Sequence, residues 1–361
     1  MAQAHGKALV TGATGFIGSA VVRALLADGR HVVAMVEPGA DDQALIGLDV
    51  ERVGAELRDP VGVRRAVAGC TSVFHVAALY RFWAPDPKLF YEVNVGGTRN
   101  VLAAAREEGV EKLVYTSTVG TLGLDGAHDG RPADERDYPD VSHLFGAYKR
   151  SKYVAEHEVL RAAAEGLPVS LVLPTFPLGP GDRAPTPSGR LILDFLNGKM
   201  PGYVDTVLNA VHVNDVAVGH LLAHDLGANG RSYILGGENL PLKDLLAQLA
   251  AVTGLPRPRL QVPHAVSLAA AWVSDTVEGR LLRRPPRVPL EAARMSATRM
   301  AFDDSRAREE LGYRPRPAVE ALEESVRWFV ENGYVTNQRR SETMRRTGHG
   351  HHSGWTGLSA V

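Results

Sequence analysis

The sequence predicts an α/β fold, a parallel sheet with helices on both faces, followed by a smaller region. Three observations predict it. An apolar run at 7–10 leads into Gly12, Gly15 and Gly18 and then into an amphipathic helix. Short apolar runs then alternate with helical patterns to about residue 174. Past Asp182 the composition turns to Pro, Ser and Thr and the alternation weakens. Together these specify a Rossmann-type doubly wound parallel sheet with a smaller C-terminal substrate-binding region. Residues 1–178 form the dinucleotide-binding part, and 208–235 return to it. Residues 179–207 and 236–335 form the substrate-binding region, and 336–361 read as a disordered tail.

Composition excludes several classes. The chain has 361 residues, 45% of them hydrophobic, enough for a sizeable core. A net charge of −1 gives no global field toward nucleic acid or anionic lipid. One cysteine, Cys70, excludes an internal disulfide and a cysteine-cluster metal site and fits a reducing, cytoplasmic compartment. Residues 1–6 are too short for a signal peptide, and no apolar run reaches the roughly 18 residues of a membrane span. The longest candidate, 265–273, is broken by Ser267 and reads as a buried or surface-docked helix. No metal site is expected.

The first strand and its glycine turn place a dinucleotide. Gly12 lets the chain turn off the strand, Gly15 lets a pyrophosphate approach the backbone, and Gly18 lets the helix pack close. Thr14 lies inside this turn, and the helix N-terminus behind it offers N–H groups to phosphate. The second strand, 31–36, ends at Glu37, where a carboxylate accepts from both ribose hydroxyls and repels a 2′-phosphate. That favours NAD over NADP. After the third strand, Glu56 is placed on the adenine amino group with Leu57 on the ring, while Asp59 caps the helix that Pro60 starts. The fourth strand, 72–76, ends in Ala77 and Ala78, small enough for a ligand to approach.

Tyr80, Phe82, Trp83, Phe90 and Tyr91 crowd the next segment. Phe90 and Tyr91 read as core. Tyr80 and Trp83 read equally well as packing or as a substrate-lining loop. A long helix, 89–108, carries Asn94, whose unfavourable place inside a helix assigns it a hydrogen-bonding task. The fifth strand runs into Thr116, Ser117 and Thr118, with hydroxyls at the ligand edge. A helix at 145–164 then carries Tyr148 and Lys152, one turn apart on one face. A tyrosine with a pKa of about 10 is a poor base near neutrality, and correcting that takes about 3–4 kcal/mol of preference for phenolate. A nearby ammonium supplies energy of that order. The sixth strand ends at Pro174 and Thr175. His212 and Asp215 open the returning helix in structural roles. Helices follow at 242–253, 264–282 and 319–330, with a short capped helix within 302–315 that Gly312 and Pro315 stop.

These residues together resemble the extended short-chain dehydrogenase/reductases, the NAD-dependent epimerases, dehydratases and dihydroflavonol-reductase-like enzymes. The resemblance rests on TGATGFIG at 11–18, Asn94-Val-Gly-Gly-Thr98, Tyr148-Lys-Arg-Ser-Lys152, Val211-His-Val-Asn-Asp215 and the Asp304-to-Tyr313 close. Within the group, the segments 77–83, 178–180, 185–190 and 203–206 are most similar to hopanoid-associated sugar epimerases. The resemblance implies that Tyr148 is the catalytic acid/base and that Lys152 holds the nicotinamide ribose and lowers the tyrosine pKa. It implies that Thr118 stands for the usual serine with Ser117 beside it. Gly12, Gly15, Phe16 and Ile17 would meet the pyrophosphate, Asn94 would serve the cofactor site, and Pro174 would flank the nicotinamide. Tyr80, Trp83, Thr175 and Arg190 are the candidate substrate contacts. The implied activity is hydride transfer at a hydroxyl or keto carbon of a sugar-like small molecule, by an epimerase or by a reductase. A nucleotide-sensing module without turnover is the reading from another class. A homodimer through the helices at 89 and 145 onward is also implied. Glu37 stands where reductase-like relatives often carry Arg.

Overall fold

The computed structural model describes residues 6–81, 83–123, 131–140, 142 and 144–346. Its strands are β1 (Lys7–Thr11), β2 (Val32–Val36), β3 (Glu51–Gly54), β4 (Cys70–His75), β5 (Lys112–Thr116) and β6 (Val169–Pro174). After these come β7 (Phe176–Leu178), β8 (Gly202–Tyr203), β9 (Val207–His212), β10 (Ser232–Leu235), β11 (Glu238–Pro241) and β12 (Leu260–Gln261). Seven of them form one parallel sheet in the order β10-β6-β5-β4-β1-β2-β3. Strand order reverses between β1 and β4, so a crevice opens at the carboxyl ends of these two.

Both faces of this sheet are covered, which is why its strands are apolar almost without interruption. Leu9, Val33, Leu113 and Leu171 face the helices Pro60–Val67, Gly97–Glu107 and Ala147–Ala164. Ala8, Val10, Phe74 and Val114 face the helices Phe16–Ala27 and Val213–Asp225. A third core joins Leu178, Ile192, Leu245, Leu249, Leu322 and Phe329. It lies under a smaller sheet in which β9 pairs with β7 in parallel and with β11 antiparallel. The returning segment is therefore divided: β9 belongs to the smaller sheet, while the helix after it and β10 join the large one. Asp215 ties the two regions, accepting from the Arg316 amide at 2.8 Å and from its Nε at 2.9 Å. His212 caps its helix by accepting from the Asn214 amide at 3.0 Å.

Three segments differ from the sequence expectation. The helix expected at 89–108 is Lys88–Tyr91, a wider π-helical turn at Glu92–Gly96, and then Gly97–Glu107. The helix expected at 264–282 is His264–Ser274 followed by a second π-helical stretch, Asp275–Leu281. Within the tail read as disordered, Asn337–Arg346 is a helix. Residues 347–361 lie outside the described residues, as do Phe82 and residues 124–130, 141 and 143.

Phe329 is fully buried in the third core. Phe329→Ala should lower the unfolding free energy by about 3–5 kcal/mol in a urea titration, since a large cavity replaces the ring.

Candidate functional site

The glycine turn has the shape a dinucleotide needs. Gly12 adopts φ +65°, and a Cβ there would lie 2.8 Å from the Ala77 Cα. A Cβ on Gly18 would run into the Gly12 carbonyl. Gly15 is exposed at the start of the helix Phe16–Ala27, whose first turn has no side-chain cap. Backbone N–H groups therefore face the crevice between β1 and β4 with no side chain in front of them. Thr14, Phe16 and Ile17 are part-buried around the same turn. These residues fit the pyrophosphate of a nicotinamide dinucleotide. Glu37 is exposed just beyond β2. Glu56 pairs with Arg58, and Leu57 is buried against Gly97. Asp59 caps the next helix, accepting from the Val61 amide at 3.0 Å.

Asn94 connects two parts of the site. Its Oδ1 accepts from the Leu79 amide at 2.7 Å, and its Nδ2 donates to the Leu79 carbonyl at 3.4 Å and to Ser151 Oγ at 2.9 Å. Ser151 in turn donates to the Tyr148 carbonyl at 2.7 Å. The side chain is 2% exposed, so its task is internal clamping and it offers no free group to a cofactor. Tyr80 follows Leu79, and its ring lies 5.0 Å from the Tyr148 ring. One amide thus fixes both the aromatic loop and the helix that carries Tyr148.

Tyr148 is buried and hydrogen-bonded to the Thr118 hydroxyl. Burial holds its phenol well above the ordinary tyrosine pKa, Tyr80 and Tyr115 push it the same way, and Thr118 opposes them. The lowering expected from Lys152 does not occur in this arrangement. Lys152 Nζ donates to the Tyr115 hydroxyl at 2.9 Å and to the Thr116 carbonyl at 2.7 Å, and burial pulls its pKa down to about 7. Ser117 also departs from expectation. Its hydroxyl donates to Glu156, which Thr121 reaches at 2.9 Å, so of the two only Thr118 serves Tyr148.

Below Lys152 runs a buried polar chain that sequence reasoning missed. Tyr115 is hydrogen-bonded to Thr98, Thr98 Oγ1 lies 3.1 Å from His75 Nε2, and His75 Nδ1 lies 2.8 Å from Thr11 Oγ1. Thr11 then accepts from the Ala77 amide at 3.1 Å. Burial holds His75 near pKa 3, so it is neutral and hydrogen-bonds on both ring nitrogens.

The far wall comes from the C-terminal region. The Trp83 Nε1 would be 3.2 Å from a Cβ on Gly279. Glu291, in the helix Leu290–Ser296, is 8% exposed and its carboxylate packs on Gly146, two residues before Tyr148. Its Oε1 has no hydrogen-bond partner among the described residues, and burial raises its pKa to about 7 against the pull of Lys149. No sequence motif marks Glu291, because it lies 143 positions from Tyr148 in a region without alternation. Pro174 ends β6 beside Leu235, Thr175 donates to the Leu235 carbonyl at 3.5 Å, and Ala78 is part-buried past β4. Arg190 is exposed on the helix Pro187–Leu196, where it acts on Asp182 and Asp194. The structure does not bring it to the Tyr148 phenol.

Residues 8–236 match the model of the NAD dependent epimerase/dehydratase family. The chain belongs to that family. It is 44% identical over 333 residues to a putative dihydroflavonol 4-reductase of Synechocystis, covering 91% of this chain and 96% of the relative. It is 38% identical over 330 residues to sterol demethylase protein B of Methylococcus capsulatus, covering 91% and 99%. The crystal structure of a nucleoside-diphosphate-sugar epimerase from Pseudomonas aeruginosa superposes with a TM-score of 0.77 at 28% identity, covering 92% of this chain and 100% of that one. The parallel sheet and its nucleotide crevice are those of the family. No helix among the described residues is long and apolar enough to cross a membrane, and no cluster of potential metal ligands occurs among them.

The burial of Lys152 has a measurable consequence. Its pKa falls from 10.5 to about 7 on folding, so between those values the unfolded chain binds the proton more tightly. Unfolding free energy should rise as pH increases through this window, by up to about 1.4 kcal/mol per pH unit. Urea titrations across the window should show this slope, and Lys152→Met should flatten it.

Proposed function

We propose that this protein is an NAD-dependent oxidoreductase that interconverts a secondary alcohol and a ketone on a largely apolar molecule. The observation that carries the reading is the buried Tyr148 phenol, held protonated beside the Thr118 hydroxyl and under the Tyr80 ring. Such a phenol is an acid. It hydrogen-bonds a carbonyl oxygen and gives its proton as negative charge develops there. Thr118 donates a second hydrogen bond to the same oxygen and fixes its direction. When bound, the dinucleotide supplies or accepts the hydride. Lys152 lies within one turn of Tyr148, and in this reading its ammonium leaves Tyr115 to stabilise phenolate when the proton moves in the oxidative direction.

Two features support an apolar substrate. The Tyr80 ring stands next to the phenol, and Trp83, three residues on, meets Gly279 in a region that also carries an apolar helix. A sterol is also named for one of the relatives above. Glu291 meets the one polar end: its orphan oxygen suits a substrate hydroxyl. Glu37 suits NAD. Sugar epimerisation is the second reading, favoured by the family's description and by the Pseudomonas structure. In that case the same Tyr148 removes and returns one hydroxyl proton in each turnover. A sensing module without turnover leaves the Tyr148–Thr118 pair without a task.

Tyr148→Phe should reduce kcat by about a thousandfold or more while NAD affinity changes less than twofold. An unchanged rate would remove the mechanism. Thr118→Ser should stay within about tenfold of the native rate and Thr118→Val should fall well below it. Mass spectrometry of the nucleotide released on denaturation separates the readings. NAD retained near stoichiometry, with no net NADH formed from any alcohol, would favour the epimerase. Nucleotide exchanged at every turn would favour the dehydrogenase, and released NADP would overturn the role of Glu37.

A further inference from the structure

The helix His264–Ser274 carries its apolar side outward. Only Ala271 is buried. Val266, Ala269, Ala270, Val273 and Val277 recur at three- and four-residue steps and, with Val288, line an open groove of about 880 Å³. Trp272 is 61% exposed on the same helix, and Leu281 and Leu282 follow it at 73% and 54%. A helix of a water-soluble domain turns such a stripe toward the core. Here the stripe forms one side of a groove open to the outside, with Val288, Arg284 and Arg287 along its edge, and it is continuous where ordinary surface exposure is scattered.

The charge around the stripe is basic. Arg280, Arg283, Arg284 and Arg287 follow it, against two carboxylates in the whole of residues 264–288. Asp275 lies 3.7 Å from Arg280, and Glu278 lies 3.4 Å from both Arg284 and Arg287. The Arg280 and Arg287 side chains remain 75% and 87% exposed. A net charge of −1 for the full chain conceals this local excess.

We propose that residues 264–288 are a peripheral docking face for a bilayer containing anionic phospholipid. The valines, Trp272 and Leu281 enter the headgroup and upper acyl region, and the arginines meet lipid phosphate. Exposed tryptophan, an outward apolar stripe and clustered arginines are the combination such an interface selects. A second copy of this chain fits the face less well, because a two-fold contact would set arginine cluster against arginine cluster. Docking does not depend on the redox reading. It places the bilayer next to the wall formed by Gly279 and Glu291, and so next to Trp83 and Tyr148.

Sedimentation of the full-length protein with vesicles tests this. Vesicles of phosphatidylcholine with one-third phosphatidylglycerol should pellet the protein at low salt, and phosphatidylcholine alone should pellet roughly tenfold less or none. Trp272→Glu with Leu281→Glu, and separately Arg280→Glu with Arg287→Glu, should each weaken binding roughly tenfold or more. The Trp272→Glu with Leu281→Glu variant should keep the native melting temperature, since both side chains are exposed, and both variants should keep the native NAD affinity. Trp272 emission should shift to the blue on vesicles, and Trp272→Phe should abolish the shift. No pelleting with the anionic vesicles would overturn the proposal, as would equal pelleting with both vesicle types or undiminished binding by the variants. A native dimer that Trp272→Glu with Leu281→Glu dissociates would also overturn it, by making a second copy the occupant.

Discussion

One side-chain amide, that of Asn94, sets the geometry on which the candidate site depends. It pairs with both backbone groups of Leu79 and with Ser151, and it is buried where water cannot replace any of these bonds. An unpaired amide at such depth costs about 1–3 kcal/mol, so the clamp persists as a unit. Asn94 lies inside the π-helical turn at Glu92–Gly96. Through Leu79 the clamp places Tyr80, and through Ser151 it places Tyr148. The two rings meet because one amide holds both chains.

Around this clamp the site is a balance of desolvation against short polar contacts. Burial raises Tyr148, lowers Lys152 and raises Glu291, so in three groups of unlike chemistry it opposes the charged form. The chain from Lys152 through Tyr115, Thr98 and His75 to Thr11 ends beside the glycine turn. Every member has a partner, which is the condition for such a chain to rigidify a core instead of weakening it. Its path runs beneath the strand ends and links the base of the phosphate turn to the helix of Tyr148 without crossing the crevice.

Much of this was legible in the sequence for local reasons. The turn at Gly12, Gly15 and Gly18 is specified within eight residues, and the Tyr148–Lys152 spacing within one helical turn. The sheet's near-continuous apolar strands and alternating helices followed from periodicity alone. Long-range partners were not legible. Lys152 finds Tyr115 on another element, Ser117 finds Glu156, and Glu291 arrives from a region whose fold no period announces. The direction of the helix His264–Ser274 was equally hidden. An apolar stripe has the same spacing whether it faces a core or the outside, and only the packed structure distinguishes the two. The tail helix Asn337–Arg346 was missed because its charged sequence shows no apolar face.

The division of labour between the two walls of the crevice has an evolutionary corollary. The proton-handling wall is tied together by Asn94 and the polar chain, and both lie wholly within the large parallel sheet and its helices. The opposite wall, at Gly279 and Glu291, meets it where Trp83 approaches Gly279 and where the Glu291 carboxylate packs on Gly146. Replacement of side chains on that second wall reshapes the space above Tyr148 and leaves the phenol where it is. A lineage built this way can change what it accepts many times over while keeping a single proton donor.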